Sequence, residues 1–286
     1  MQNRQAFAFF DPIVEAGAAE YEAAGELAGG QKVWILARLP RPIQVTGDDS
    51  VLKYLLLVNN HAGPSPGVQI GLTPLRMVCT NMLTVALQLG RGMRFEHRPE
   101  LHAQLSRAAE TLSLLEEGFS EIEANFKRMT QAPMAHRSLL DYLAEVFPEP
   151  PEATQENAPV RRLRATGSEL FEVGLGNREP GVRGTLWAAY NAVTELVDHY
   201  VADVSPESRL DRIWFGEGYE IKARAYKTAL RLLKAPHGAL ARARLVTHLQ
   251  LNREGVPLRG EFEAPETIAG YFERHDRAAA ELSSVA

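Results

Sequence analysis

The polar residues best spaced to do chemistry fall on one predicted helix, over 184–201. At 100° per residue, Leu186, Tyr190, Val193, Val197 and Tyr200 form its apolar stripe. Asn191, Glu195, Asp198 and His199 fall within about 100° of one another on the other side. Glu195 and His199 stand four apart, so they can share a divalent metal or pair with each other. A metal needs further ligands, and the remaining histidines are scattered without ligand spacing, so no metal is assigned. The plain alternative is a solvated or hydrogen-bonded face. Lys222 joins this set because it falls in the middle of the apolar face of a second predicted helix, 219–234. It either snorkels to water from the first turn or needs a buried partner or ligand. An enzyme built around Asn191, Glu195, Asp198, His199 and Lys222 is therefore one reading.

Other chemistry is poorly represented. The sequence has no phosphate-binding Gly-Lys-Ser/Thr loop, no dinucleotide fingerprint, no His-Glu-x-x-His and no nucleophile elbow. Gly174-Leu175-Gly176-Asn177 can offer backbone N–H groups to an anion, or be an ordinary turn. Cys79, the single cysteine, lies between Val78 and Thr80 in an apolar stretch, which suits a buried structural thiol. No catalytic residue and no cofactor are assigned.

Charge points elsewhere. The net charge of −5 argues mildly against nucleic acid, but the charges are sorted along the chain. Residues 50–95 contain no acid and carry Lys53, Arg76, Arg91 and Arg94. Residues 221–252 contain no acid and carry Lys222, Arg224, Lys227, Arg231, Lys234, Arg242 and Arg244. Acid-free segments can be buried segments, or basic zones that attract phosphate. On the 219–234 helix, Arg224, Lys227, Arg231 and Lys234 lie within about 80° of one another, opposite an apolar face. Such a stripe suits a phosphate backbone, or pairs with the acid-rich segments. Trp34, Tyr54 and Phe95 are candidates for base stacking.

The elements that would position these groups read as follows. A helix is predicted over 7–27, ended by Gly29-Gly30. Strands are predicted over 32–39, 43–45, 52–59 and 68–73, with loops at 47–49 and 63–67. Pro74 is read as opening a helix that runs to 89, followed by Gly90 and Gly92 and a return strand at 93–97. Over 99–129, Leu101, Leu105, Ala108, Leu112, Leu115, Phe119, Ile122, Phe126 and Met129 alternate by four and three, a heptad seam about four heptads long. It packs either within its own domain or against a second copy or partner helix. Further helices are predicted over 138–146, 160–173, 184–201, 219–234, 240–251 and 265–282. The expected fold is α+β, a small mostly antiparallel sheet with a β-β-β-α-β core packed with helices, followed by a mainly helical C-terminal half. Residues 1–147 form the sheet-containing region, 148–159 a linker or loop, and 160–286 the helical region. No stretch is apolar over the roughly 18 residues a membrane span needs, and residues 1–10 show no secretory signal. With a single cysteine, this indicates a reducing, cytoplasmic setting.

Gly184-Thr185-Leu186-Trp187-Ala188-Ala189-Tyr190-Asn191-Ala192-Val193-Thr194-Glu195 followed by Asp198-His199 resembles the signature of the phage/plasmid-like family known as domain of unknown function 932. So do Gln2-Asn3-Arg4-Gln5-Ala6-Phe7, Thr73-Pro74-Leu75-Arg76-Met77-Val78-Cys79-Thr80-Asn81 and Trp214-Phe215-Gly216. Members of that family usually carry several dozen residues before the Gln-Asn-Arg segment, so the resemblance implies a form shortened at its N-terminus. It also implies a mobile-element setting, without an activity. A helix, a β-β-β unit and a helix are similar at fold level to the core of Rad52-like single-strand annealing proteins, which form rings or filaments. Together these lead to the expectation of a non-enzymatic, homo-oligomeric protein that binds and anneals single-stranded DNA. The binding residues would be Lys53, Arg76, Arg91, Arg94, Arg224, Lys227, Arg231 and Lys234. A protein-interaction or host-modulating factor is the rival.

Overall fold

The fold is seen in a computed structural model that describes residues 11–15, 17–47, 49–61, 67–76, 81–82, 93–95, 101–152, 157–201 and 205–234. All of them fall in one unit of the chain, Met1–Leu245. The predicted helices over 240–251 and 265–282, the glycine-proline tract at 62–66, Cys79 and Arg91 lie outside the described residues.

A short helix, α1 (Asp11–Glu15), precedes β1 (Glu20–Leu27) and β2 (Lys32–Arg38). The second half of the predicted first helix is thus a strand. Ala28, Gly29 and Gly30 all have left-handed backbones, at φ 52°, 62° and 84°. They turn the chain into a hairpin instead of ending a helix. β1 reads as helical because it is rich in Glu and Ala and exposed along nearly its whole length, so it shows no strand alternation. Pairing with β2 overrides that composition. Gly25 fits the pairing because a Cβ there would lie 2.7 Å from Cζ2 of Trp34.

β3 (Ile43–Thr46) and β4 (Asp49–Asn60) follow, then β5 (Gly67–Arg76), β6 (Asn81–Met82) and β7 (Met93–Phe95). The seven strands form one antiparallel sheet with the path β1-β2-β4-β5-β6, with β3 also on β4 and β7 also on β5. The α+β class is as expected, but within the span 74–89 read as a helix the described residues, 74–76 and 81–82, are strand, and the rest of that span lies outside the described residues. Pro74 sits inside β5, opposite Lys53. The Lys53 carbonyl accepts from the Leu39 N–H at 2.8 Å, so the polar backbone of Lys53 faces the β2 side. The Lys53–Pro74 pair is therefore a non-hydrogen-bonded one. The missing N–H of Pro74 points away from β4, between the stretches of β5 paired by β7 and β6.

The helical half contains α2 (Leu101–Thr130), α3 (His136–Val146), α4 (Ala158–Val173), α5 (Leu186–Glu195), α6 (Pro206–Phe215) and α7 (Glu217–Lys234). Its starts follow local chemistry. Asn157 accepts from Val160 N–H, Thr185 accepts from Ala188 N–H, and Ser205 and Ser208 form a reciprocal cap. None of the described helices is long and apolar enough to cross a membrane.

The sheet is covered on both faces. On one, Trp34, Leu36, Tyr54, Leu56 and Val58 form a core with Ile213 and Trp214 of α6. The Trp34 and Trp214 rings meet edge to face at 4.7 Å. Trp34 and Tyr54, considered above for base stacking, are thus interior. On the other face, Lys53 lies over the Phe119 ring of α2 and Arg76 over the Trp187 ring of α5. In the heptad seam, Phe119, Ile122, Phe126 and Met129 are all buried within the single chain. Phe126 stacks among Trp187, Tyr190 and Tyr226, so this half of the seam is intramolecular.

α5 is the central helix, packed against α2, α4 and α7. All ten of its residues are buried. The one-sided burial expected for it is corrected: its alanines let neighbours approach on every side, and its polar residues are enclosed with the rest.

Candidate functional site

Where sheet and helices meet, charge is buried. Arg76 and Asp49 are fully inaccessible. Arg76 Nε and Nη2 donate to the two Asp49 carboxylate oxygens at 2.7 and 2.8 Å, a two-pronged pairing that suits the planar guanidinium. Its remaining N–H groups reach the Leu175 carbonyl at 3.2 Å, Asn177 Oδ1 at 3.3 Å and the Gly176 carbonyl at 3.1 Å. The Trp187 indole N–H donates to Asp49 Oδ2 at 2.6 Å. Arg76 was expected on a phosphate-binding groove. It is instead an internal tie between β5, β4 and the loop before α5, with no surface to offer a ligand.

That loop is the glycine-rich segment singled out in the sequence. Asn177 Nδ2 donates to the Leu170 and Ala188 carbonyls, each at 3.0 Å. Leu175 N–H donates to the Glu195 carboxylate, at 3.0 Å to Oε2. The anion that meets this loop is the chain's own. Burial pushes the Glu195 carboxyl up to about 7, against the opposing pull of the Leu175 N–H and the Arg76 charge. The folded carboxyl therefore holds its proton to higher pH than the unfolded one. Its contribution to stability is complete below about pH 4.5 and is lost as pH rises toward 7, in total roughly 3 kcal/mol. Glu195→Gln should remove this loss. In urea denaturation between pH 5 and 8, the variant should gain on the wild type as pH rises and be the more stable at pH 8. Parallel pH profiles would contradict this.

The other polar residues of this helix meet a different environment. After Glu195 the chain continues as one π-helical turn, Leu196–Tyr200. Its carbonyls are taken by arginines of α6. Arg209 donates through Nε and Nη2 to the Asp198 carbonyl at 2.8 and 2.5 Å, and Arg212 to the Val197 carbonyl at 2.9 Å. Cations at a helix C-terminus also answer its dipole. Arg209 Nη2 lies 3.2 Å from His199 Nδ1. Lys222, fully buried, donates to Asp198 Oδ1 at 2.8 Å. Burial pushes its amine down, and Asp198 opposes the shift. Asn191 uses its Nδ2 on the Trp187 carbonyl at 2.8 Å.

Asn191, Glu195, Asp198, His199 and Lys222 thus do not converge. Glu195 belongs to the loop and Arg76, whereas Asp198 and Lys222 form a pair between the π turn and α7. Lys222 finds a buried partner and does not snorkel. Glu195 and His199 are each engaged elsewhere, and no group of three metal-ligating side chains occurs among the described residues.

The expected basic residues separate as well. Lys53 is half-buried, 5.3 Å from the Phe119 ring centre. Arg94 lies on β7, whose backbone alone is described. Arg224 donates to the Val146 carbonyl at the end of α3, at 2.7 Å. Arg231 is exposed and paired with Glu145. Lys227 and Lys234 are exposed and make no ion pair among the described residues. Beside them Arg128, at the end of α2, donates to the Leu233 carbonyl at 3.3 Å.

Asp49, Trp187, Arg209 and Arg212 do not stand out as site residues in the sequence, and Asn177 does so only as part of the glycine-rich loop. A lone arginine in an apolar strand, Arg76, was the available sign that an acid had to be buried with it.

Fold and site together define an α+β protein whose interior charges tie sheet to helices and whose last described helix presents Lys227, Arg231 and Lys234 to solvent. Residues 1–234 match the family model Domain of unknown function (DUF932), and the chain belongs to that family. No curated protein and no solved structure matches it.

Proposed function

We propose that this chain is a non-enzymatic single-stranded DNA-binding protein of a phage or plasmid, and that the exposed face of α7 contacts the phosphate backbone. The observation that carries this reading is the row Lys227, Arg231, Lys234 on α7 with Arg128 beside it, exposed while the opposite face of the helix is packed. Glu145 neutralises Arg231 in part, which leaves Lys227 and Lys234 as the principal contacts. Arg76 and Arg224 drop out of the binding set because they are committed to internal partners. Such contacts neutralise phosphate without reading bases, so binding is salt-dependent and sequence-tolerant. Several copies along one strand would act as a homo-oligomer and favour annealing. Phe119, Ile122, Phe126 and Met129 are consumed inside each copy, so assembly uses other surfaces.

Lys227→Glu combined with Lys234→Glu should weaken binding of a labelled oligothymidine at least tenfold at low salt, read by fluorescence anisotropy. Unchanged affinity would remove α7 from the interface. The rival reading, a protein-interaction factor, needs an open docking surface. The exposed strand β1 is the obvious one, but Glu20, Glu22 and Glu26 along it discourage strand addition.

A further inference from the structure

The loop joining α4 to α5, residues 174–184, is both exposed and rigidly held. Gly176, Gly181 and Gly184 adopt left-handed backbones at φ 71°, 83° and 71°. A Cβ on Gly174 would lie 2.5 Å from the Leu170 carbonyl, and one on Gly181 would lie 2.8 Å from Thr46 Oγ1. The loop is thus pressed against α4 on one side and the β3–β4 turn on the other. From beneath it is tied by Arg76 to two carbonyls and Asn177, and by Glu195 to the Leu175 N–H. Val182 and Arg183 N–H groups close its outer turn on the Glu179 carbonyl at 3.0 and 3.2 Å. From this platform Leu175, Arg178, Glu179, Pro180 and Arg183 are exposed. Arg178 and Arg183, like Arg161 and Arg162, make no side-chain hydrogen bond or ion pair among the described residues, and they are the two cations that this tied loop carries. A preorganised loop that presents two uncommitted guanidinium groups loses little entropy on binding, and guanidinium groups suit both phosphate pairing and stacking on bases.

We infer that the 174–184 loop is a second contact for single-stranded DNA, with Arg178 and Arg183 engaging its phosphates. This rests on the single-stranded DNA reading above. The buried Asp49–Arg76 pair, Asn177 and Glu195 are positioning residues that act through the loop.

The test is anisotropy with labelled oligothymidine on wild type and three double variants. Arg178→Glu with Arg183→Glu should weaken binding at least tenfold, and Arg178→Lys with Arg183→Lys should stay within about threefold of wild type at the same salt. Arg161→Glu with Arg162→Glu is the control. These two arginines are also exposed, but sit near the other end of α4, roughly 20 Å along the helix from Leu175 and beyond a Debye length of about 10 Å. The control should bind like wild type. The loop contact is overturned if the loop reversal binds like wild type, or if the control weakens binding equally and so reveals a bulk-charge effect. If wild type itself does not bind, the single-stranded DNA reading fails instead. Thermal unfolding by circular dichroism should be unchanged in all variants, because none of the four arginines has an internal partner.

Discussion

Replacing Asp49 with Ala is expected to destabilise the protein by about 3–5 kcal/mol, the usual cost of breaking a buried ion pair from one side. Asp49 is the carboxylate that faces Arg76, and both side chains are fully inaccessible. Its loss leaves a buried guanidinium without its paired carboxylate, among the Leu175 and Gly176 carbonyls, Asn177 Oδ1 and the nearby Glu195 carboxyl, and strips the Trp187 indole N–H of its acceptor. Three segments share this node: β4 through Asp49, β5 through Arg76 and α5 through Trp187. With a typical total stability of about 5–15 kcal/mol, the variant should lose a large fraction of its folded population on modest warming. A double variant separates the effect of charge from that of packing. Asp49→Leu combined with Arg76→Met removes both charges and should recover much of the lost stability, as apolar replacements of buried pairs do. Urea midpoints report both outcomes. An Asp49→Ala change within 1 kcal/mol of wild type would mean that the pair does not hold sheet and helices together.

Lys222→Met should cost about 3 kcal/mol near neutral pH, at the low end for one-sided loss of a buried pair. It leaves Asp198 enclosed without its ammonium partner, though Arg209 and Arg212 remain close to the same π turn. A second variant separates charge from packing. Asp198→Asn added to Lys222→Met removes the charge left behind and should recover part of the deficit in urea midpoints. A double variant no more stable than Lys222→Met alone would assign the cost to packing around the lysine stem.

Much of the fold was legible because it is locally encoded. The strands from Lys32 to Thr73 announce themselves by apolar runs between glycines and prolines, and α2, α4 and α7 by periodicity and caps. The two segments misread as helix share one physical cause. β1 is an exposed edge strand of Glu and Ala, and β5 continues through a proline whose missing donor happens to face away from β4. In both, strand pairing with residues far along the chain outweighs local preference. The candidate site was legible as a set of residue types and not as an arrangement. Asn191, Glu195, Asp198 and His199 share a helix face on paper. In the fold that face is enclosed, and the π turn after Glu195 sends Asp198 toward Lys222 while Glu195 meets the loop. Lys222 was the informative exception, since a lysine on an apolar face required a buried partner and has one. Likewise, absence of acids over 50–95 goes with a buried Arg76 and a half-buried Lys53, whereas α7 buries Lys222 and presents Lys227, Arg231 and Lys234 to solvent. Segregated charge in a sequence does not by itself distinguish the two cases.

The proposed function rests on the accessible cations of α7, Lys227, Arg231 and Lys234, and not on the buried polar residues. The most direct measurement is titration of labelled oligothymidine with the full chain at two salt concentrations, 50 and 200 mM being a suitable pair. Dissociation constants below about 10 μM at the lower salt are predicted, with affinity falling by roughly tenfold or more at the higher, as expected when several counterions are released. No binding at 10 μM in low salt, or an affinity indifferent to salt, would contradict the account.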